Sequence, residues 1–324
     1  MRVQTRFTQR FGIELPVVQG GLAYLARAEL AAAVSNAGGL GQVTAATLGS
    51  HEALRQEMAR VRSLTAQPFG VNFALGHWDP EPLLRVVVAE GAPVVSITGG
   101  NPEPVLQALP RAEAGGPRTL VLVSSVRQAQ KAAALGADAV VAVGSEGGGH
   151  IGRDDTSTLV LVARILEEVD VPVLASGGIG NGRGLAAALA LGADGVEMGT
   201  RFVATEECPA HPAYKQALLA TDEHATMVIE RTLGRPGRVL DSAWSRKVIE
   251  AEKAGLPQAT LLEMVSGRRN VRAALEGQLD EGFVWAGQVT GLIHDVPSAG
   301  ELVRRTVAEA QTHLRHASSS FGDS

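Results

Sequence analysis

Eight short β-branched runs alternate with Ala- and Leu-rich stretches over the first 200 residues. That beat restricts the fold more than any other feature of the sequence. The runs lie at 16–19, 41–44, 70–73, 94–98, 119–123, 139–143, 171–176 and 195–198. Helical segments fall between them at 28–37, 51–64, 80–90, 102–109, 125–135, 157–169 and 182–191, with Thr156 or Ser157 expected to cap the sixth. Several runs are apolar without alternation, the pattern of strands covered on both faces. Eight βα units of this size predict an α/β fold. The expected form is a (β/α)8 TIM barrel at the low end of the usual length of about 250 residues. An open, doubly wound sheet is the competing arrangement.

The beat stops near residue 220. Residues 221–280 read as mainly helical with a short strand at 227–230, and a last helix at 298–314 carries Leu302, Val307 and Ala310. The expected layout is a barrel at 1–220, completed by the returning segment 281–324, with a small, mostly helical cap at 221–280.

Composition narrows the function. A net charge of −5 argues against a broad basic face for nucleic acid. Aromatic residues make up only 4% of the chain, too few for a stacking surface along a single strand. The single cysteine, Cys208, allows no internal disulfide, which fits a reducing compartment. No signal-type apolar core follows the N-terminus, and no run approaches about 18 apolar residues. The expectation is a cytoplasmic protein with no membrane or nucleic-acid partner. There is no Walker sequence, no HExxH and no GxSxG, so no metal is expected and an α/β-hydrolase site is disfavoured.

The 38 glycines are the second informative feature. In a barrel, function sits in the loops after the carboxyl ends of the strands. Gly20 and Gly21 follow the first strand and let a flat ligand lie against bare backbone. Asn72, at the end of the third, brings an amide that both donates and accepts. The loop after the sixth strand holds five glycines within residues 144–152, including Gly148 and Gly149, and presents His150. Imidazole is the side chain best suited to proton transfer near neutrality. Ser176, Gly177 and Gly178 follow the seventh strand, and Gly199 and Thr200 follow the eighth. Glycine loops at those two places, beside a helix N-terminus, form the usual phosphate site of barrels. Arg201 either reaches that phosphate or pairs with Glu206 or Glu207, and His211 before Pro212 reads as a structural turn. Trp285 and Gln288 either close the mouth or pack the cap on the barrel.

Residues 17–43, Gly70-Val71-Asn72-Phe73, 146–152, 172–211 and the stretch from Trp285-Ala286-Gly287-Gln288 to Pro297 together resemble the nitronate monooxygenase family, formerly 2-nitropropane dioxygenases. The same superfamily includes FMN-dependent NAD(P)H:quinone reductases and type II enoyl-acyl carrier protein reductases. The resemblance implies an FMN-binding barrel with a smaller helical domain. It implies the FMN phosphate on Gly177, Gly178, Gly199 and Thr200 with Ser176 nearby. It implies the ring near Gly20, Gly21, Leu22, Asn72 and Gly148, with Gly149 beside it and His150 as the active-site histidine. The implied activity is oxidation of alkyl nitronates with O2 to carbonyl compounds and nitrite. The alternative is NAD(P)H-dependent reduction of a quinone or an enoyl thioester. The partners are then small molecules, and a homodimer is compatible with the cap. Leu22 stands where Met is usual, Leu122 where quinone-reductase-like members carry Lys, and Val143 where many relatives carry an acid. The last two departures look coordinated and point away from the quinone-reductase branch.

Overall fold

The computed structural model describes residues 2–76 and 79–320. Eight parallel strands form one sheet: Val17–Gln19, Gly41–Thr44, Phe69–Ala74, Val94–Thr98, Arg118–Val123, Ala139–Val143, Val173–Ser176 and Gly195–Met198. They follow one another in space as in sequence, and the first pairs with the eighth through Val17↔Val196 and Val18↔Glu197. The gap between the first and second strands is closed by a bridge. Leu40 N–H donates to the Val17 carbonyl at 2.9 Å, and Gln19 N–H donates to the Leu40 carbonyl at 3.0 Å. The sheet is therefore a closed (β/α)8 barrel, and the open sheet is excluded. The seventh strand starts at Val173 rather than 171, because Pro172 has no N–H to give the ladder.

Residues alternate in and out of the barrel wall with the period of two that pleating imposes. Outward residues such as Val95, Val121, Val140 and Ala175 join the surrounding helices in the main core. Inward residues Val18, Leu40, Val94, Leu120, Val141 and Leu174 form a second core. Phe7, Phe11 and Ile13 join it from the N-terminal helix Arg6–Phe11 and the turn after it. That helix plugs the amino-terminal end of the barrel, and Arg6 fixes it to Asp194 at 2.7 Å. In the next inward layer, two residues further along the strands, the lining turns polar at Asn72, Ser96, Ser176 and Glu197. It stays apolar only across the fifth and sixth strands, at Leu122 and Val143. With one end plugged and the other lined by polar groups, the chemistry is confined to the carboxyl end.

The 221–280 region contains three helices, Ala243–Lys253, Gln258–Met264 and Gly267–Ala274. It also contains a hairpin of Thr226–Ile229 with Gly237–Leu240, where one strand alone was expected. The second strand pairs with Gly149–His150 from the barrel loop, making a three-stranded sheet. Four residues after a proline carry too little alternation to announce a strand. The last helix, Ala299–Ser319, runs beyond residue 314 and packs on Gly182–Leu191 and Ala28–Asn36. Among the described residues, no helix is long and apolar enough to cross a membrane.

Candidate active site

The carboxyl-end loops enclose a cavity of about 970 Å³. Its lining includes Gly20, Gly21, Leu22, Asn72, Gly148, Gly149, His150, Ser176, Gly177, Gly178, Gly199 and Thr200, but not Arg201 or Gln288.

The floor is built from the polar layer. Asn72 is buried, and its amide donates to Ser96 Oγ and Thr98 Oγ1, both at 2.9 Å. A Cβ on Gly21 would come within 2.3 Å of Asn72 Oδ1, so glycine is required where the first loop crosses that amide. Beside it, the Glu197 side chain lies under Gly20. Its Oε2 and the hydroxyl of Thr44 have no partner among the described residues. Burial pushes the Glu197 carboxyl up to about 8, against the opposing pull of the Ser176 hydroxyl. A lone acid in the otherwise apolar strand Gly195–Met198 is the sequence signal for this residue, and the loop-centred reading passed over it.

The phosphate-type cradle is made of backbone. Gly177 and Gly178 both have positive φ, +97° and +73°, a backbone region open chiefly to glycine. Thr200 Oγ1 accepts from Gly287 N–H at 3.0 Å and keeps its own hydrogen for donation. The N-terminus of the helix Gly182–Leu191 is already satisfied. Asn181 caps Arg183 and Gly184 N–H, and Glu309 accepts from Gly182 N–H at 3.0 Å. The short helix Thr200–Val203, by contrast, starts in the cavity lining from Gly199 with no side-chain cap. Arg201 serves neither of its expected roles. It is buried and points away, pairing with Asp295 at 2.7 Å, a residue Arg305 also holds at 2.6 Å. Burial pulls its guanidinium below the ordinary value, opposed by Asp295. Neither Thr156 nor Ser157 caps the sixth helix with its side chain. Glu146 of the glycine loop does so instead, accepting from Thr158 N–H and Oγ1, both at 2.9 Å. The loop and the helix thus fix each other.

His150 reaches the cavity wall from the short strand Gly149–His150, where it pairs with Gly237 of the hairpin. Its Nε2 lies 3.8 Å from Glu230 Oε2, and Arg235 Nε lies 2.6 Å from the same oxygen. Its ring sits 4.9 Å from that of Trp285, tilted by 47°. Trp285 lines the cavity and also packs edge-on against Phe283, so it serves both the mouth and the packing. The Trp285 carbonyl accepts from the Tyr214 hydroxyl. Gln288 is exposed and lies outside the cavity lining. His211 accepts from Ala213 N–H at 3.1 Å, the structural turn expected, and burial raises the Cys208 thiol to about 11. Glu230 and Arg235 were not foreseen, since the run from Glu230 to Arg238 matches no chemical template and depends on the hairpin for its position.

Known proteins agree with this layout. A family model described as nitronate monooxygenase matches residues 4–309. A Mycobacterium tuberculosis protein named (3aS,4S,5R,7aS)-5-hydroxy-7a-methyl-1-oxo-octahydro-1H-indene-4-carboxyl-CoA dehydrogenase is 33% identical over 98% of this chain and 99% of its own. The nitronate monooxygenase of Pseudomonas aeruginosa is 35% identical over 94% and 98%. The structure of FabK from Thermotoga maritima superposes with a TM-score of 0.93 at 38% identity, covering 98% of this chain and 99% of that one.

Proposed function

The chain belongs to the nitronate monooxygenase family and is an oxidoreductase, and from that premise we propose that it binds FMN and oxidises alkyl nitronates, with His150 as the catalytic residue. The observation that carries this reading is that His150 and a two-loop glycine cradle line one cavity whose floor carries Asn72 and Glu197.

The cavity fits the cofactor on three counts. The left-handed Gly177 and Gly178, with Thr200, supply uncharged donors for a phosphate. Gly20 and Gly21 leave bare backbone over which a ring can lie. The orphaned Glu197 Oε2 and Thr44 Oγ1 are buried polar atoms of the kind a heteroaromatic ligand satisfies. The chemistry FMN supplies when bound is electron transfer from the nitronate, after which O2 carries the reaction to a carbonyl compound and nitrite. In this scheme His150 abstracts the α-proton of a neutral nitroalkane, or holds the anionic nitronate by hydrogen bonding. Glu230 and Arg235 orient the imidazole from behind, and Trp285 shields one face of it.

A second reading is favoured by the size of the cavity. About 970 Å³ is near the top of the usual ligand-site range of roughly 300–1,000 Å³. Lys131, Arg153 and Arg235 stand along its wall. A thioester of a phosphorylated carrier suits that space and charge better than a small nitroalkane, and the mycobacterial relative is named for a carboxyl-CoA. His150 then transfers the proton at a carbon beside the thioester.

One anaerobic experiment decides between the two. The loaded protein is mixed with a nitronate, NADH or NADPH, and the visible absorbance of the flavin is followed. Loss of absorbance with nitronate alone is expected. Rapid bleaching by a pyridine nucleotide would overturn nitronate oxidation as the main activity. A protein that retains no FMN would overturn both readings.

A further inference from the structure

Glu197 has no part in the proton transfer assigned to His150, yet it is the most unusual group in the cavity. It comes from the inward face of the eighth barrel strand and is 5% exposed. A Cβ on Gly20 would lie 3.1–3.3 Å from its Cδ, Oε1 and Cγ. Its carboxyl therefore sits directly beneath the loop that receives the flat ligand. Oε2 is without a partner, although the group lines an open cavity rather than the packed core.

A buried carboxylate requires a cation or several donors, and neither is present among the described residues. The neighbour across the ladder is Ser176, whose hydroxyl acts on Glu197 against its burial. The other titratable groups of the cavity are engaged elsewhere. Glu146 caps Thr158, Tyr214 bonds the Trp285 carbonyl, and His150 faces Glu230. Among the cations, Lys131 pairs with Glu103, Arg235 with Glu230, and Arg153 donates to the Gly234 carbonyl. Asp154 lines the cavity as well and exerts no resolved effect on Glu197. A carboxylic acid kept neutral by such surroundings can donate a hydrogen bond.

We propose that Glu197 is a protonated acid that donates a hydrogen bond to an acceptor on the edge of the bound FMN ring, so that cofactor binding holds a proton at this residue. The proposal rests on the FMN reading above and assigns Glu197 as a cofactor-positioning acid. Burial, offset in part by the Ser176 hydroxyl, places the carboxyl's ionisation at about 8. A donated bond delays that ionisation in the complex, so the free protein loses its proton first and affinity falls as pH rises.

The test is the FMN dissociation constant of the flavin-free protein from about pH 6.5 to 9.5, for wild type and Glu197→Gln. The phosphate of FMN titrates near pH 6 and does so equally in both. Wild-type affinity is expected to be flat to about pH 7, then to weaken by up to about tenfold per pH unit above 8. Glu197→Gln keeps a neutral donor and should show no such bend. A second measurement needs no variant. Calorimetry of FMN binding at pH 8 in two buffers of different ionisation heat should show uptake of roughly half a proton by wild type. Parallel pH profiles, or no proton uptake, would overturn the proposal while leaving FMN binding intact. Failure of wild type to bind FMN at any pH would overturn the FMN reading itself, and this proposal with it.

Discussion

The imidazole of His150 and the carboxylate of Glu230 face each other across 3.8 Å, the first half-exposed and the second enclosed. The distance is too long for a direct hydrogen bond, so the acid faces the imidazole without bonding to it. Arg235, 2.6 Å from the same oxygen, keeps that charge in place. Glu230 has a φ of +65°, a left-handed conformation that costs a non-glycine residue about 1–3 kcal/mol. The hairpin thus holds a strained acid behind the candidate proton-transfer group.

Substitution separates the two roles. His150→Asn should retain FMN while turnover falls at least about 100-fold, the usual worth of a positioned acid or base. Glu230→Gln keeps the shape and removes the charge, and turnover should drop by about tenfold with flavin content unchanged. Steady-state rates beside the absorbance ratio of flavin to protein are the readout. Unchanged turnover in His150→Asn would remove that residue from the mechanism.

Gly21→Ala is the matching test of the cavity floor. The new methyl would lie 2.3 Å from Asn72 Oδ1, and the Asn72 amide is pinned to Ser96 and Thr98. Either the loop lifts or the amide rotates away, and both spoil the surface offered to a ring. FMN affinity should fall at least tenfold. Overpacking of this kind costs about 1–3 kcal/mol of stability, which is survivable for a folded barrel. Fluorescence titration with FMN alongside thermal melting checks both numbers.

The barrel was legible because its signal is local. Several strands are continuous apolar runs, and the glycine loops mark the carboxyl ends on which Gly177, Gly199 and His150 depend. What escaped depends on contacts distant in sequence. Glu230 reaches His150 only through the pairing of Gly237 with His150, and no pattern in either segment announces it. Arg201 invited a phosphate role because it adjoins Thr200. The direction of its side chain is set by Asp295, 94 residues away. Asn181 and Glu309 consumed a helix N-terminus that spacing alone had left free.

That reassignment of Arg201 yields its own prediction. Its guanidinium is buried and held by Asp295, which also receives Arg305. The hydrogen bond from Arg305 first, and the nearby Arg201 charge, keep the Asp295 carboxyl below its ordinary value despite some burial. Its contribution to stability is therefore present above the unfolded carboxyl value of about 3.9 and is lost as pH falls through the lowered folded one. Asp295→Asn leaves Arg201 buried without its counter-charge. Because Asp295 is itself partly exposed, the cost should be about 1–3 kcal/mol rather than that of a fully buried pair. Denaturant unfolding near neutral pH measures it. FMN affinity should stay within about twofold, since the pair points away from the cradle. A large loss of FMN affinity would return Arg201 to the phosphate.

Glu197 makes stability depend on pH in the opposite sense. An unfolded glutamate ionises near 4.3, whereas in the folded protein burial raises this one to about 8. Between those values the folded state binds a proton that the unfolded state has released. Stability of the flavin-free protein therefore falls as pH rises across that window, by up to about 1.4 kcal/mol per unit, and levels off above it. Glu197→Gln removes the penalty without changing the shape. Melting of variant and wild type should thus diverge between about pH 5 and pH 8, the variant becoming more stable by a few kcal/mol at the upper end. Differential scanning of the two flavin-free proteins in matched buffers reads the gap directly. A gap that stays constant with pH would mean that the carboxylate finds enough water in the open cavity to ionise normally, and that the polar floor is already solvated before any ligand arrives.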